Sequence, residues 1–294
     1  MTTASTLLER VSRQLLSGIV EERNKLAATI TSSDTSITTS YDLNSLRAGM
    51  VLEIDSELMY IWEASVSSKT LVVERGYAGT TAASHSSGAV ITSNPRFPKA
   101  QMLDALNADI DDLSSPVNGL YRVLTIDLTY NGSDRAIDIT GVTNIIELMD
   151  VRLRYLSDDY PVIRSVRLQR NLPTSDFASG NAIVFDELVM AGTLRVTYKA
   201  PFARLTSASQ DLQTVAYVPT NMEDILEMGV LVRMMAPREI KRSFIESQGD
   251  TRRPEEVPTG SSRDSITNIL RLRRDRIIAE SSRLKRQNPL KFRL

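Results

Sequence analysis

The sequence predicts an α+β chain of several domains: helices at both ends and, between them, a small β barrel-like module followed by a larger antiparallel β sandwich. Three observations carry this expectation. Apolar residues recur at helical spacing in 5–29, 98–119 and 203–287, whereas 31–97 and 120–202 hold short β-branched and aromatic runs separated by turn residues. At 294 residues the chain is long enough for two or three domains, each with its own core. Its 41% apolar and 24% charged residues belong to a chain that folds, not to a disordered or fibrous one.

Taken in order, residues 1–30 read as an N-terminal helix. Leu8, Val11, Leu15, Ile19 and Leu26 recur near helical spacing, and Glu9, Arg10, Arg13, Glu21, Glu22 and Arg23 lie opposite. At Thr31 the composition turns to Thr and Ser, and MVLEID, LMYIWEAS, TLVVERG and GAVITS read as strands of a small module over 31–97. Asn94-Pro95 and Phe97-Pro98 close it. KAQMLDALNADIDDL then forms a connecting helix (98–119), with Met102, Leu103, Leu106, Ile110 and Leu113 on its apolar face and Asp104, Asp109, Asp111 and Asp112 on its wet one. From 120 to 202 strands return. YRVLTIDLTY, Asn131-Gly132 and RAIDIT read as a hairpin, and alternating runs follow at regular intervals, most simply as a sandwich. Residues 203–287 are helical. Thr220 or Asn221 is offered as an N-cap, Glu223 and Asp224 fill a first turn, a kink or restart is expected at Pro237, and 248–262 form a polar loop. The last helix stops at Asn288-Pro289, leaving an extended arm over 288–294.

The composition excludes several function classes. Without cysteine there are no disulfides, thiolate nucleophiles or cysteine metal sites, and a lone His85 excludes two-histidine centres within one chain. No apolar stretch is long enough for a membrane span, and the start lacks the pattern of a secretory signal. The net charge of −1 conceals an asymmetry: residues 263–294 carry ten Lys and Arg against three Asp and Glu, or +7, while the remainder carries 25 against 33, or −8.

Motif by motif, little chemistry emerges. Asn107, Asp109 and Asp111 suggest a calcium loop, but Asp112 and Asn118 stand where glycine and glutamate are required. The pairs Glu53/Asp55 and Asp158/Asp159 carry no mark of acid–base chemistry, and no GxSxG, Walker-type loop or GxGxxG occurs. His85 reads as a turn residue bonded to nearby backbone, and Tyr60 and Trp62 as core. No catalytic, metal or cofactor residue is therefore expected. The basic end is the informative feature. Arg271, Arg273, Arg274, Arg276, Arg283, Lys285, Arg286, Lys291 and Arg293 surround a narrow stripe of Ile266, Ile269, Leu270, Ile277 and Leu284, and Phe292 offers an apolar anchor in the arm. Such a helix can dock by its stripe and offer guanidinium groups to carboxylates or phosphates.

Two stretches resemble known proteins. LVVERGYAGTTAASHSSGAVITSNPRF is similar to a small β module of tailed-bacteriophage virion proteins, through Glu74, Arg75, Gly76, Gly79, Thr80, Ala82, His85, Gly88 and Ala89. The acidic-start helix, SQGDTRRPEEVPTGSS and the Arg-rich helix over 220–287 resemble the C-terminal half of neck proteins from long-tailed phages, notably of actinobacterial hosts. That resemblance implies a head-to-tail connector or adaptor: a homo-oligomeric ring, usually a dodecamer, beneath the portal protein. It also implies contacts with tail-completion or tail-terminator proteins, passage of double-stranded DNA through the lumen, and no membrane. The expected location is the virion neck, after assembly in the host cytoplasm. The middle β domain has no counterpart in minimal, all-helical adaptors. Two other readings stand beside it: a tail-tip, baseplate or receptor-binding virion protein, and a DNA-binding protein acting through the basic end.

Overall fold

The computed structural model describes residues 2–43, 46–139, 141–142, 144–154, 160–247 and 261–288. Residues 289–294 of the predicted arm, with Lys291, Phe292 and Arg293, the pair Asp158/Asp159, and 248–260 of the predicted loop lie outside these residues, while 261–262 of that loop already belong to the last helix. The fold is mixed helix and antiparallel sheet, in two compact units. The first comprises 1–109 and 204–274, the second 110–203 and 275–294.

The first unit opens with α1 (Ala4–Leu16), capped by Thr3, whose hydroxyl accepts the Thr6 N–H. Its buried face is Ala4, Leu7, Leu8 and Val11. The predicted helix to residue 29 ends much earlier. Ser17 turns left-handed at φ 47°, and its N–H bonds to the Arg13 carbonyl, which closes the helix. Ile19 is exposed, and Leu26 belongs to the β core that follows.

That core is built by β1 (Arg23–Lys25), β2 (Ser36–Thr38), β3 (Val51–Ile54), β4 (Glu57–Ser65), β5 (Thr70–Glu74) and β6 (Val90–Ser93). They form one antiparallel sheet in the order β1-β6-β3-β4-β5-β2. The sheet curls until its edges meet. Leu26 bridges Thr39, and backbone bonds join Ala27 to Thr38 and Ser40 to Lys25. Curling protects both edges from stray pairing. Alternate residues Leu52, Ile54, Met59, Ile61, Leu71, Val73 and Ile91 fill the inside.

Helix α2 (Lys99–Leu113) follows. After the strands of the second unit, a 3-10 turn over Thr220–Met222, preceded by Pro219 with no side-chain cap, runs into α3 (Glu223–Ser247), so Thr220 and Asn221, the predicted caps, lie within that turn. Glu223 and Asp224 occupy the first turn as expected, and one helix runs across Pro237 and does not restart there. Within the first unit, α3 packs on α1, and Arg10 bridges Glu223 (2.9 Å) and Glu227 (2.7 Å). The last helix, α4, spans Ser261–Gln287.

The second unit contains β7 (Arg122–Tyr130), β8 (Ala136–Asp138), β9 (Glu147–Leu153), β10 (Val166–Arg170), β11 (Asn181–Phe185) and β12 (Gly192–Ala200). They make two three-stranded antiparallel sheets, β10-β11-β8 and β7-β12-β9, around one shared core of Leu128, Tyr130, Val151, Ile183, Phe185, Leu194 and Val196. The predicted hairpin about Asn131-Gly132 is not formed. β7 pairs instead with β12 along nine residues, Arg122↔Ala200 to Tyr130↔Gly192, and β8 pairs with β11 in the other sheet. The Asn-Gly turn redirects the chain between sheets. Asn131 accepts the N–H groups of Ser133 and Asp134, and Gly132 sits at φ 80° where a Cβ would lie 2.7 Å from the Ala191 nitrogen.

Candidate functional site

The predicted cations of α4 divide into an inner and an outer set. Arg273 faces inward. Its Nη2 lies 2.7 Å from Oδ1 of Asp109, a carboxylate only 1% exposed at its side chain, and Arg233 of α3 approaches the same oxygen at 3.5 Å. Asp109, placed on a wet face by the sequence reading, is thus an internal clamp for two arginines. Gly229 makes room for it, since a Cβ there would stand 2.1 Å from the carboxylate. Arg273 is accordingly an anchor within the first unit, not a group offered to a partner. An inward arginine is stable only with such a partner, because an unpaired buried charge costs several kcal/mol.

In the second unit Glu280, also buried, takes Arg276 at 3.4 Å and Arg283 at 2.7 Å, one helical turn to either side. Arg283 also donates to Gln287 and Arg286 to the Ser282 carbonyl. Arg271, Arg274 and Lys285 remain exposed and make no ion pair with any described residue. The predicted apolar stripe is corrected too. Ile277 is buried, Ile266, Ile269 and Leu284 are half-buried, and Leu270 lies exposed, as do Leu272 and Ile278. Helix α4 therefore holds itself by Arg273, Ile277, Glu280 and Ser281 and presents arginine and aliphatic side chains elsewhere.

The curled sheet contains a densely bonded charged group. Glu57 begins β4 with a buried carboxylate that accepts from Arg75 Nε (2.8 Å) and Nη2 (2.9 Å), the backbone N–H groups of Gly76 and Ala83 (both 3.0 Å), and His85 Nε2 (2.9 Å). Burial opposes its ionisation, but these bonds from Arg75, Ala83, His85 and Gly76 outweigh it and hold the carboxyl down to about 2. Arg75 spends its remaining N–H groups on the carbonyls of Thr31, Asp34 and Ala83. His85 turns its Nδ1 to Asp55 at 2.8 Å. Its two ring nitrogens thus span two carboxylates, Glu57 and Asp55. His85 is therefore a buried cross-link, not the locally bonded turn residue expected. Gly76, at φ 63° and 2.9 Å from the Thr80 carbonyl at its would-be Cβ, is where the backbone turns into this knot.

Glu53 and Asp55, passed over in the sequence, flank that knot. Glu53 of β3 is buried and accepts the Lys99 N–H at 2.5 Å. Burial pushes its carboxyl up to about 7, against the Lys99 bond and charge, and the nearby Glu21 and Asp55 add to the rise. It lines a cleft of about 560 Å³ together with Leu8, Arg13, Glu21, Phe97 and Lys99. Among the described residues no cluster of His, Asp or Glu is arranged to hold a metal ion, and no helix is long and apolar enough to cross a membrane.

Trp62, expected in the core, points out. A register shift between Ile61 and Glu63 inserts it as the extra residue of a β-bulge, leaving it 62% exposed with its ring edge-on to Tyr60 at 4.8 Å. Tyr60 in turn lies 5.4 Å from Tyr77. Compared with known proteins, the chain matches no family model and no curated sequence.

Proposed function

We propose that this chain is a structural, non-catalytic subunit of a tailed phage that forms an oligomeric head-to-tail connector (adaptor) ring beneath the portal. The basic helix and arm dock on the portal, tail-completion or terminator proteins bind on the other side, and the lumen passes DNA. The observation that supports this reading best is the division of labour in α4. Arg273 is consumed by Asp109 inside the fold, whereas Arg271, Arg274 and Lys285 stand exposed and make no ion pair with any described residue. Surplus cations on a well-anchored helix serve contacts with carboxylates or phosphates of another molecule. The finer architecture that goes with the proposal is a barrel-like module, a β sandwich, a helical adaptor-like region and a C-terminal arm.

The experiment is removal of residues 286–294 from the phage-encoded protein. Folded, soluble protein with heads and tails that no longer join is the expected result, and normal particles would remove the docking role of the arm. Imaging of virions carrying a label on this chain separates neck from tip. The exposed Trp62 favours one alternative, a tail-tip or receptor-binding virion protein, because an outward aromatic ring is a stacking surface for sugars. Binding of the purified protein to host cells would support that alternative.

A further inference from the structure

Two faces are left exposed by the packing of the described residues, and each supplies what the other lacks. The first is the outer face of β4 and β5. With Ile61, Leu71 and Val73 turned into the core, Tyr60, Val72 and Glu74 face outward, and the bulge adds both Trp62 and Glu63 to the same side. Glu74 stands directly across from Tyr60, and neither Glu63 nor Glu74 makes an ion pair among the described residues. This is an aromatic platform with unpaired negative charge. The second is a face of α4. At 3.6 residues per turn Leu270, Arg274 and Ile278 stand in one row with Arg271 beside them. Leu270 is 45% and Ile278 53% exposed, and both arginines are free of ion pairs among the described residues.

We infer that these faces bind each other between successive copies of this chain. The aromatic platform of one copy receives the Leu270–Arg274–Ile278 row of the next. A guanidinium over the Trp62 ring gains a cation–π attraction, stronger as the contact loses water. Glu63 and Glu74 accept charge-assisted bonds from Arg271 and Arg274, and the aliphatic side chains cover Tyr60 and Val72. Charge complementarity selects this occupant. A neutral sugar would stack on the platform but leave both carboxylates unmatched, whereas α4 brings the matching cations in equal copy number. The contact joins two different surfaces, so every copy keeps one of each free after binding its neighbour. Contacts of this kind close into a ring or run on as a filament. The inference rests on the oligomeric reading above and adds which surfaces meet.

The test uses the full chain. Its one tryptophan is Trp62, so intrinsic fluorescence reports this face alone. As concentration rises, the emission is expected to shift to the blue and quenching by acrylamide to fall, in step with the mass from sedimentation. Trp62→Ala and Arg274→Glu should each weaken association at least tenfold while leaving the thermal unfolding profile unchanged, since both side chains are exposed. Combining Arg274→Glu with Glu74→Arg should recover association lost by either alone. Oligomers indifferent to all three variants would overturn the contact and leave the ring standing. A parent that stays monomeric at every concentration, with unchanging Trp62 emission, would overturn the contact also, and copy number in the virion would then judge the ring separately. An emission shift on adding host oligosaccharides, without change of mass, would assign the platform to sugars and overturn the contact too.

Discussion

At the scale of single residues, the buried carboxylates give opposite responses to pH. Glu57 is depressed to about 2, so its contribution is present above the ordinary glutamate range near 4.5 and is lost as pH falls from there towards 2. A shift of that size corresponds to up to about 3 kcal/mol. Acid titration followed by near-UV circular dichroism should show unfolding across that window, and Glu57→Gln, which leaves Arg75 and His85 without their anion, should lower stability by about 3–5 kcal/mol at neutral pH. Glu53 is raised to about 7, so its neutral form is favoured by the fold; that advantage is full below about 4.5 and disappears as pH rises through 7. Glu53→Gln keeps an acceptor for the Lys99 N–H and should raise the melting temperature at pH 8 while changing little at pH 4. The third test concerns Asp109. Asp109→Ala strands Arg273 and Arg233 and should cost about 3–5 kcal/mol in a denaturant titration. Gly229→Ala, pressing a methyl onto a carboxylate pinned by Arg273, should cost about 1–3 kcal/mol.

How much of this was legible depends on the residue. Asp109 could have been found: it falls three residues after Leu106, in the row of Met102, Leu106 and Leu113, and a carboxylate in an apolar row asks for a buried cation. Glu57 gave a weaker signal, a charge directly beside Leu58 and Met59 in a strand. Its partners Arg75 and His85 stood out only as spaced members of a glycine-rich stretch, because the bonds between them span 18 and 28 residues. Trp62 was not legible, since alternation places it inside or outside according to a bulge that only the pairing with β5 decides.

At the scale of elements, helical periodicity located α2, α3 and α4, and the apolar β-branched runs located β3 to β12, whereas β1 falls inside the predicted N-terminal helix. Ends and partners were harder. The apolar spacing of Leu15, Ile19 and Leu26 continues past Leu16, but Ser17 takes the left-handed conformation and Leu26 enters the β core instead. Asn131-Gly132 is a strong local hairpin signal, yet the nine-residue pairing of β7 with β12 offers far more hydrogen bonds than a three-residue β8 can. Long-range pairing overrides a local turn in such a contest. In α4 the sequence marked the cations but not their division, because whether Arg273 or Arg274 turns inward depends on where Asp109 lies.

At the scale of the whole molecule, the opposed charges of body and C-terminal end matter most. The +7 borne by residues 263–294 against −8 elsewhere makes any contact between the end of one copy and the body of another sensitive to ionic strength. Association should therefore weaken as salt is raised from 0.05 to 0.5 M, on the order of tenfold, if electrostatic complementarity carries it. Sedimentation at those two salt concentrations is the check, and association that strengthens with salt would show that apolar burial dominates instead.

The first unit is assembled from two separate stretches, 1–109 and 204–274, with residues 110–203 of the second unit between them. During translation, Asp109 therefore waits for more than a hundred further residues to leave the ribosome before Arg233 and Arg273 reach it. Until then the Asp109 carboxylate stays hydrated, because burying it without its arginines costs several kcal/mol. Its curled sheet, whose strands all lie within residues 23–93, can close without that delay. The helical clamp is thus a late checkpoint: only a chain translated through Arg273 can complete it.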